Sequence, residues 1–369
     1  MFFRTFGGSL LVAGVGLWLG YLYAGSTGLA LAAILAVLEV SLSFDNAVVN
    51  ATVLVRMSPF WQKIFLTVGV AIAVFGMRLV FPLLVVGITA KLTPTEAINL
   101  ALDKGDPNKP GTYGYLLHQA HPAIAAFGGI FLLMIFLDFV FKERETTWLS
   151  WLERPLARIG KLDQLSVVIS LVTVFIAAST LAPAHKYGTV LAAGLLGLAT
   201  YIAVNGLDSY FESEEDGDEE LSETLEKNRK KHVVGKAAFG LFLYLEVLDA
   251  SFSFDGVTGA FAITSDPILI AIGLGIGAMF IRSLTVYLVR KGTLSEYVYL
   301  EHGALWAIGA LAVILMVTIE YDVPELVTGL IGVAFILAAL ASSIVHNRHE
   351  VDPEVTEPAS ATNSVGASA

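Results

Sequence analysis

The sequence has no cysteine and little charge. None of its 369 residues is cysteine, and only 15% are Asp, Glu, Lys or Arg. The first absence excludes disulfide frameworks, thiolate metal sites and dithiol redox relays. A soluble domain carries about 25% charged residues, so the low charge and the 56% apolar content exclude a soluble enzyme and a disordered regulator. The apolar residues form runs of about 20, long enough to cross a bilayer of about 30 Å. We therefore predict an all-α, polytopic membrane protein whose first partner is the lipid bilayer, with no nucleic-acid partner.

The apolar runs predict ten transmembrane helices. They cover residues 7–25, 29–55, 64–90, 122–141, 164–182, 188–208, 236–263, 267–289, 302–320 and 325–345. With these spans, sixteen of the 22 Lys and Arg residues lie on the side that holds both termini, and four lie on the other side. The positive-inside rule then places both termini in the cytoplasm. We expect a multi-pass protein of the cell (inner) membrane.

The order of motifs predicts an internal repeat. Residues 8–14 align with 188–194, 38–45 with 248–255, 75–78 with 279–282, and His121 with His302. Each copy holds five helices, and because five is odd the second copy enters the membrane from the opposite face. We predict one repeat at 1–182 and a second at 183–349, the second interrupted by an acidic cytoplasmic loop at 209–235. A disordered tail is expected at 350–369.

Five carboxylates lie inside the predicted spans. They are Glu39, Asp45, Glu246, Asp249 and Asp255. An ionised carboxylate at the centre of a bilayer costs at least about 2.5–3.5 kcal/mol. Arg78 and Arg282, which also lie inside spans, can act as counter-ions to two of them. Protons or a cation must neutralise the rest, unless the acids and arginines form structural ion pairs only.

The spacing of the carboxylates predicts broken helices. Glu39 and Asp45 are six residues apart, as are Asp249 and Asp255, so in an ideal helix the two side chains of each pair point about 120° apart. To face one point, each helix must unwind or bulge in its Ser-x-Ser-Phe segment. The candidate metal ligands are then Glu39, Asp45, Asn46, Glu246, Asp249 and Asp255, with Arg78 and Arg282 as counter-ions or gates. Oxygen ligands of this kind suit Mn²⁺, Mg²⁺ or Ca²⁺.

These motifs resemble the TerC family of integral membrane proteins. The resemblance rests on residues 38–47, on Asp249 and Asp255 with the following 260–264, and on 282–284, and it is closest to a branch described only as a domain of unknown function. The family is named for tellurium resistance, and several members are implicated in manganese export. The resemblance implies that Glu39, Asp45, Asn46, Asp249 and Asp255 handle the metal. Gly256 departs from it, because many members carry Ser there.

Three functional hypotheses follow. The first is export of a hard divalent cation, with Mn²⁺ favoured, coupled to proton entry; this protein would not be an enzyme and would hold no permanent cofactor. The second is an intramembrane aspartyl hydrolase that uses Asp45 and Asp255 as an acid/base pair. The third is a membrane scaffold of a metal-stress complex. His121 and His302 are interpreted as interfacial residues at helix starts or as proton gates, and the acidic loop as a solvated segment or a cation collector.

Overall fold

The chain is described by a computed structural model that covers residues 2–103, 105–144, 146–162, 164–217, 235–291 and 297–351. Within these ranges all regular structure is helical. The prediction of an all-α fold is therefore confirmed. Most of the helices are long, and they pack side by side as a bundle in which the outer faces are apolar. Trp18, Phe75 and Ile88 have exposed fractions of 59%, 64% and 78%, as expected for side chains that meet lipid rather than water.

The first helix, α1 (Phe2–Leu42), is a hairpin of two antiparallel arms. Its backbone leaves helical geometry at Ala24 and at Gly25, which has φ 64° and ψ −150°. A Cβ atom on Gly28 would lie 2.2 Å from the carbonyl oxygen of Gly20. Residues eight apart in a straight helix are separated by about 12 Å, so the chain reverses between them. The two arms correspond to the separate spans predicted on either side of residue 25.

The reversal makes Gly25 the residue whose replacement should most disturb this hairpin. Its dihedral angles lie in a region that is accessible almost only to glycine, so we expect Gly25→Ala to lower the free energy of unfolding by about 1–3 kcal/mol. Gly14→Ala is the matched control, since Gly14 is helical and a Cβ there meets nothing within 4 Å. Thermal unfolding in detergent should show a lower midpoint for Gly25→Ala alone. Equal midpoints for both variants would contradict the assignment of a strained turn.

The remaining elements follow in chain order. They are α2 (Phe44–Leu54), α3 (Pro59–Ile64), two π-helical segments (Phe65–Gly69 and Ile72–Val80), α4 (Phe81–Ala90), α5 (Pro94–Leu102), α6 (Tyr113–Phe141), α7 (Ser150–Ile159), α8 (Leu165–Thr180), α9 (Tyr187–Gly217), α10 (Gly235–Ile263), α11 (Pro267–Lys291), α12 (Leu300–Val317) and α13 (Glu325–Val351). One continuous helical rod, Pro59–Ala90, is formed by α3, the two π-helical segments and α4. A short 3-10 turn at Ala184–Lys186 precedes α9.

Seven helices in the described ranges are long and apolar enough to cross a membrane. They are Thr5–Leu42, Pro59–Ala90, Tyr113–Phe141, Ala184–Gly206, Pro267–Arg290, Leu300–Val317 and Val327–Arg348. The first of these is the α1 hairpin and therefore contains two arms. α8 is apolar but has only 16 residues, and α10, which carries the buried acids of the second half, lies outside this set. The architecture is that of a polytopic membrane protein, while the ten-span count and the orientation stay predictions.

The acidic loop begins later than the sequence predicted. α9 continues as a helix to Gly217, so the boundary at residue 209 was wrong. Glu is a good helix former, and between Gly206 and Gly217 the chain has neither proline nor glycine to end the helix. Residues 218–234, which hold the rest of the predicted loop, lie outside the described residues. So do residues 352–369 of the predicted tail.

Helices from both predicted repeats form the core. α6 packs against α9 and α12, and the two arms of α1 pack against α11. Ile130 and Phe131 of α6 and Ile308 of α12 are completely buried in the largest apolar cluster. This packing holds α2, α10 and α11 against one another, which brings the charged residues of the two halves together.

Candidate functional site

A break in the helix at Ser43 separates the two carboxylates of the first half, Glu39 and Asp45. α1 ends at Leu42 and α2 starts at Phe44, and Ser43 between them has non-helical angles of φ −102° and ψ 17°. The Ser43 hydroxyl donates a hydrogen bond to Glu39 Oε1 at 3.0 Å. Asp45 then lies in the first turn of α2, where the helix dipole favours a negative charge. The predicted interruption between Glu39 and Asp45 is thus confirmed.

The equivalent interruption in the second half is absent. The backbone of α10 stays helical from Gly235 to Ile263, so the predicted break between Asp249 and Asp255 was wrong. Ser251 donates to the carbonyl oxygen of Val247 at 3.0 Å, a bond to the preceding turn that leaves the helix intact. The side chain of Asp255 lies outside the described residues.

Two arginines pair with three of the four described carboxylates. The Arg78 guanidinium, carried by the π-helical segment Ile72–Val80, binds Glu39 Oε1. Arg282 Nη2 lies 3.4 Å from Asp249 Oδ2 and 3.7 Å from Glu246 Oε1. All of these groups are buried, with exposed fractions of 6% or less. Both arginines therefore contact buried carboxylates, and their role as counter-ions or gates stays a prediction.

Backbone and aromatic contacts hold each arginine in place. Arg78 Nη1 donates to the carbonyl oxygen of Ala73 at 2.6 Å. The Arg282 guanidinium carbon lies 3.9 Å from the centre of the Phe65 ring, within the range of a cation–π contact. Arg282 also donates to the carbonyl oxygen of Phe65 at 3.3 Å. Each guanidinium is therefore positioned by the rod that contains Phe65 and Ala73.

Positions that the predicted repeat aligns make two contacts between the halves of the chain. Asn46 Nδ2 donates to Asp249 Oδ1 at 2.8 Å. Gly256, which aligns with Asn46, faces Glu39, which aligns with Asp249; a Cβ on Gly256 would lie 2.9 Å from Glu39 Oε2. The residue after Asp45, which is Asn46, therefore lies against Asp249 of the other half. In the same way the residue after Asp255, which is Gly256, lies against Glu39. The two halves meet at the charged network.

Asp45 stands apart from the arginine pairs and reaches a cavity. It is 6% exposed, and its Oδ1 accepts a hydrogen bond from the Asn46 backbone N–H at 3.0 Å. No basic side chain within the described ranges forms an ion pair with it. Gly332 of α13 gives it room, because a Cβ there would lie 2.5 Å from Asp45 Oδ2. Sequence reasoning missed Gly332, which no pattern in the chain distinguishes from other glycines.

The cavity has a volume of about 750 Å³ and opens at one end of the bundle. Its polar lining includes Ser43, Asp45, Asn108, His118, His121 and Asp322. Asn108 lies before α6 and Asp322 lies between α12 and α13, so the mouth is at the end where α6 begins. In the predicted orientation this end faces away from the cytoplasm. Asp45 thus lines a cavity that reaches one end of the bundle.

An apolar cluster packs at the other end of the network. Its buried members are Leu54, Met57, Phe65, Leu241, Phe242 and Leu245. The most exposed of these side chains has an exposed fraction of 7%. The cluster lies between the Arg282 pairs and the ends of α2 and α10 that face the predicted cytoplasm. Among the described residues, the site therefore has a cavity on one side and a packed apolar cluster on the other.

The two histidines lie at opposite ends of the bundle. His121 lines the cavity, more than two turns into α6. His302 is the third residue of α12 and is 4% exposed, with its Nδ1 3.3 Å from the carboxylate of Glu153. His302 is thus a helix-start residue, as predicted, but it is enclosed by protein. The same prediction for His121 was wrong, because its helix begins at Tyr113. The proton-gate interpretation of both residues stays a prediction.

Several buried polar atoms near the carboxylates have no hydrogen-bond partner within the described ranges. They are Asn46 Oδ1, both amide atoms of Asn50, Ser253 Oγ and both carboxylate oxygens of Glu246. Buried polar atoms are normally satisfied, so such a group indicates a place for water or a ligand. Asn50, which sequence reasoning missed, lies one turn after Asn46. Their shared helix face was the signal that could have identified it.

The charges of the described site do not balance. Glu39, Asp45, Glu246 and Asp249 carry four negative charges when ionised, against two positive charges from the arginines. The structure brings Glu39, Asn46 and Asp249 into one network and joins Glu246 to it through Arg282, while Asp45 lies beside it. In the part of the chain that is described, no three His, Asp or Glu side chains lie close enough together to hold one metal ion.

Comparison with known proteins identifies a family. The family described as proteins of unknown function (DUF475) matches residues 44–350. This range starts at α2 and contains every site residue named above except Ser43 and Glu39. No curated protein and no solved structure matches the chain. Because the match covers most of the sequence, the chain belongs to the DUF475 family of proteins of unknown function.

Proposed function

We propose that the protein is a membrane transporter that exports a hard divalent cation, with Mn²⁺ as the first candidate. The observation that carries this proposal is the position of Asp45, which is buried beside two Arg–carboxylate networks and reached by a cavity from one end of the bundle. Structural ion pairs alone do not call for a surplus of carboxylates or for a cavity at one of them. A transport site needs both an excess of carboxylates and access from a side of the membrane.

The chemistry of the site favours a hard cation over other cargo. The groups that can meet a substrate at Asp45 and Asn46 are oxygen atoms of a carboxylate and an amide, which suit Mn²⁺, Mg²⁺ and Ca²⁺. An anion such as tellurite would be repelled by the surplus carboxylates. Among these three ions the resemblance to the TerC family favours Mn²⁺, because several members of that family are implicated in manganese export. A tellurium phenotype would then be indirect.

The arrangement supports a mechanism of alternating access. In this conformation the apolar cluster closes the predicted cytoplasmic side and the cavity opens to the other side, so this is the state from which an exported ion leaves. Asp45 can take up a proton from the cavity as the ion departs, which couples export to proton entry. In the opposite state the cluster around Phe65 would separate, and the carboxylates would bind the next ion from the cytoplasm.

Flux measurements on reconstituted protein test this function. We expect liposomes that contain the protein and a Mn²⁺-sensitive dye to take up Mn²⁺, and Asp45→Asn to reduce the rate to that of empty liposomes, because the variant loses the charge that attracts the ion. Asp103→Asn is the matched control, since Asp103 is exposed at the end of α5. It should transport at the wild-type rate. A pH-sensitive dye in the same liposomes should report proton movement against the metal.

The alternatives predict different outcomes. Full flux in Asp45→Asn would remove this carboxylate from the mechanism. If wild type shows no flux but cleaves membrane peptides, the hydrolase that uses Asp45 and Asp255 is favoured. If it shows neither activity, the scaffold is favoured. Mg²⁺ and Ca²⁺ added in competition with Mn²⁺ identify the preferred ion.

A further inference from the structure

A second group of charged residues lies on α7, beside a cavity separate from the one that Asp45 lines. α7 connects the ends of α6 and α8 at the side that is predicted to face the cytoplasm. One of its faces is buried and includes Glu153 and Ala157. Glu153 accepts hydrogen bonds from the backbone N–H groups of Trp148 and Leu149 at 3.1 and 3.3 Å and from Trp306 Nε1 at 3.0 Å. These bonds fix the rotation of α7 against α12.

This rotation leaves an apolar stripe of α7 largely exposed. Trp151, Pro155 and Ile159 are spaced by four residues, so at 100° per residue they lie within about 80° of one another. Trp151 is 75% exposed and Ile159 is 53% exposed, and Leu162 just after the helix is 63% exposed. A short helix with one apolar face and one charged face lies in the plane of the membrane interface. Tryptophan is enriched at that depth.

Basic residues line a cavity beside this stripe. The cavity has a volume of about 400 Å³, and Lys142, Arg154 and Arg158 are among the residues that line it. Three other charged residues of its wall already have partners. Arg144 lies 3.4 Å from Glu301, and Glu143 lies 2.9 Å from Lys161. The third, Glu153, is held by His302 and Trp306 of α12. Among the described residues, Lys142, Arg154 and Arg158 form no ion pair. Three cations are therefore available at one concave surface.

We propose that this cavity binds the phosphate headgroup of an anionic phospholipid. The cations are complementary to a phosphodiester, and two arginines one turn apart can share its oxygens. The adjacent stripe of Trp151 and Ile159 lies where the acyl chains of such a lipid would be. Basic pockets on the cytoplasmic side of membrane proteins bind anionic headgroups in this way. A soluble phosphate ion could bind the same cations, but it has no acyl chains to contact the apolar stripe.

Native mass spectrometry of the full chain in detergent tests the proposal. With phosphatidylglycerol added, wild type should retain one more lipid than with phosphatidylcholine. Arg154→Gln with Arg158→Gln should weaken lipid binding about thirtyfold, because two attractive charges are lost. Lys63→Gln with Arg348→Gln is the control, since it removes two exposed charges elsewhere on the same predicted side. It should retain the lipid.

Further measurements separate the remaining outcomes. Arg154→Lys with Arg158→Lys keeps both charges and should retain most of the lipid; if the Gln variant does not fold, Lys142→Gln should show a smaller loss. Phosphatidylglycerol with brominated chains should quench the tryptophan fluorescence of wild type more than that of Trp151→Phe. Equal retention in the Arg154/Arg158 and control variants would overturn the proposal. So would displacement of the lipid by millimolar inorganic phosphate, which would indicate a soluble anion site.

Discussion

Arg78→Gln is expected to reduce the stability of the protein by about 3–5 kcal/mol, because it leaves the buried Glu39 carboxylate without its counter-ion. The pair is 1–3% exposed on its side chains, so water cannot replace the lost interaction. The hydrogen bond from Ser43 is the one remaining side-chain contact of Glu39 among the described residues. We expect a large fall in the thermal midpoint in detergent and a low yield of folded protein.

The double variant Glu39→Gln with Arg78→Gln provides the internal control. Removing both charges should restore much of the midpoint, since replacing a buried pair costs less than breaking it. The single change Glu39→Gln should fall between the two, because Asp249 also interacts electrostatically with Arg78. If the double variant is as unstable as the sum of the two single variants, the residues are not coupled and the counter-ion role is wrong.

Single-cysteine labelling is expected to give an all-or-none result for the cavity. The chain has no cysteine, so any introduced thiol is the sole target of a thiol reagent. Thr328 lines the cavity, and Thr328→Cys should react with a membrane-impermeant reagent added to the outside of sealed right-side-out vesicles. Such labelling should also slow Mn²⁺ flux, because the adduct occupies the path to Asp45.

Two further cysteine variants make this measurement specific. Ile88→Cys is the control for exposure, because Ile88 is 78% exposed in the isolated chain yet should face lipid and react slowly. Lys63→Cys is the control for sidedness and should react when the reagent is inside the vesicles. Labelling of Thr328→Cys from the inside alone would reverse the predicted orientation. Labelling from neither side would mean that the cavity is closed.

Much of the fold could be predicted from hydropathy. The apolar runs predicted nearly all the long helices, because a segment that crosses a membrane must satisfy its backbone hydrogen bonds internally. A reversal near Gly25 was also predicted, since the apolar runs were divided into separate spans at residues 7–25 and 29–55. α7 was not predicted, because its ten residues carry charges and form a helix only where Glu153 is held by α12. The ends of α7 depend on tertiary contacts, which cannot be read from the local sequence.

The residues of the candidate site were predicted better than their arrangement in space. A carboxylate inside an apolar run must find a partner, and this requirement alone predicted the pairing of Arg78 and Arg282 with the acids. It could not predict which acid remains unpaired, since that depends on how far α2 is turned at Ser43. Nor could it predict that α10 stays helical, because a serine can either break a helix or bond to its preceding turn.

The contrast between the open cavity and the apolar cluster determines where a membrane voltage acts. In the proposed transport mechanism and predicted orientation, water in the cavity would carry the potential of the outer side to Asp45. Most of the voltage would then fall across the apolar cluster that includes Phe65, Leu241 and Leu245. Moving one charge through a full potential of 100 mV changes its energy by about 2.3 kcal/mol. A step that moves charge past this cluster should therefore depend strongly on voltage, whereas exchange of ions between Asp45 and the cavity should depend on it little.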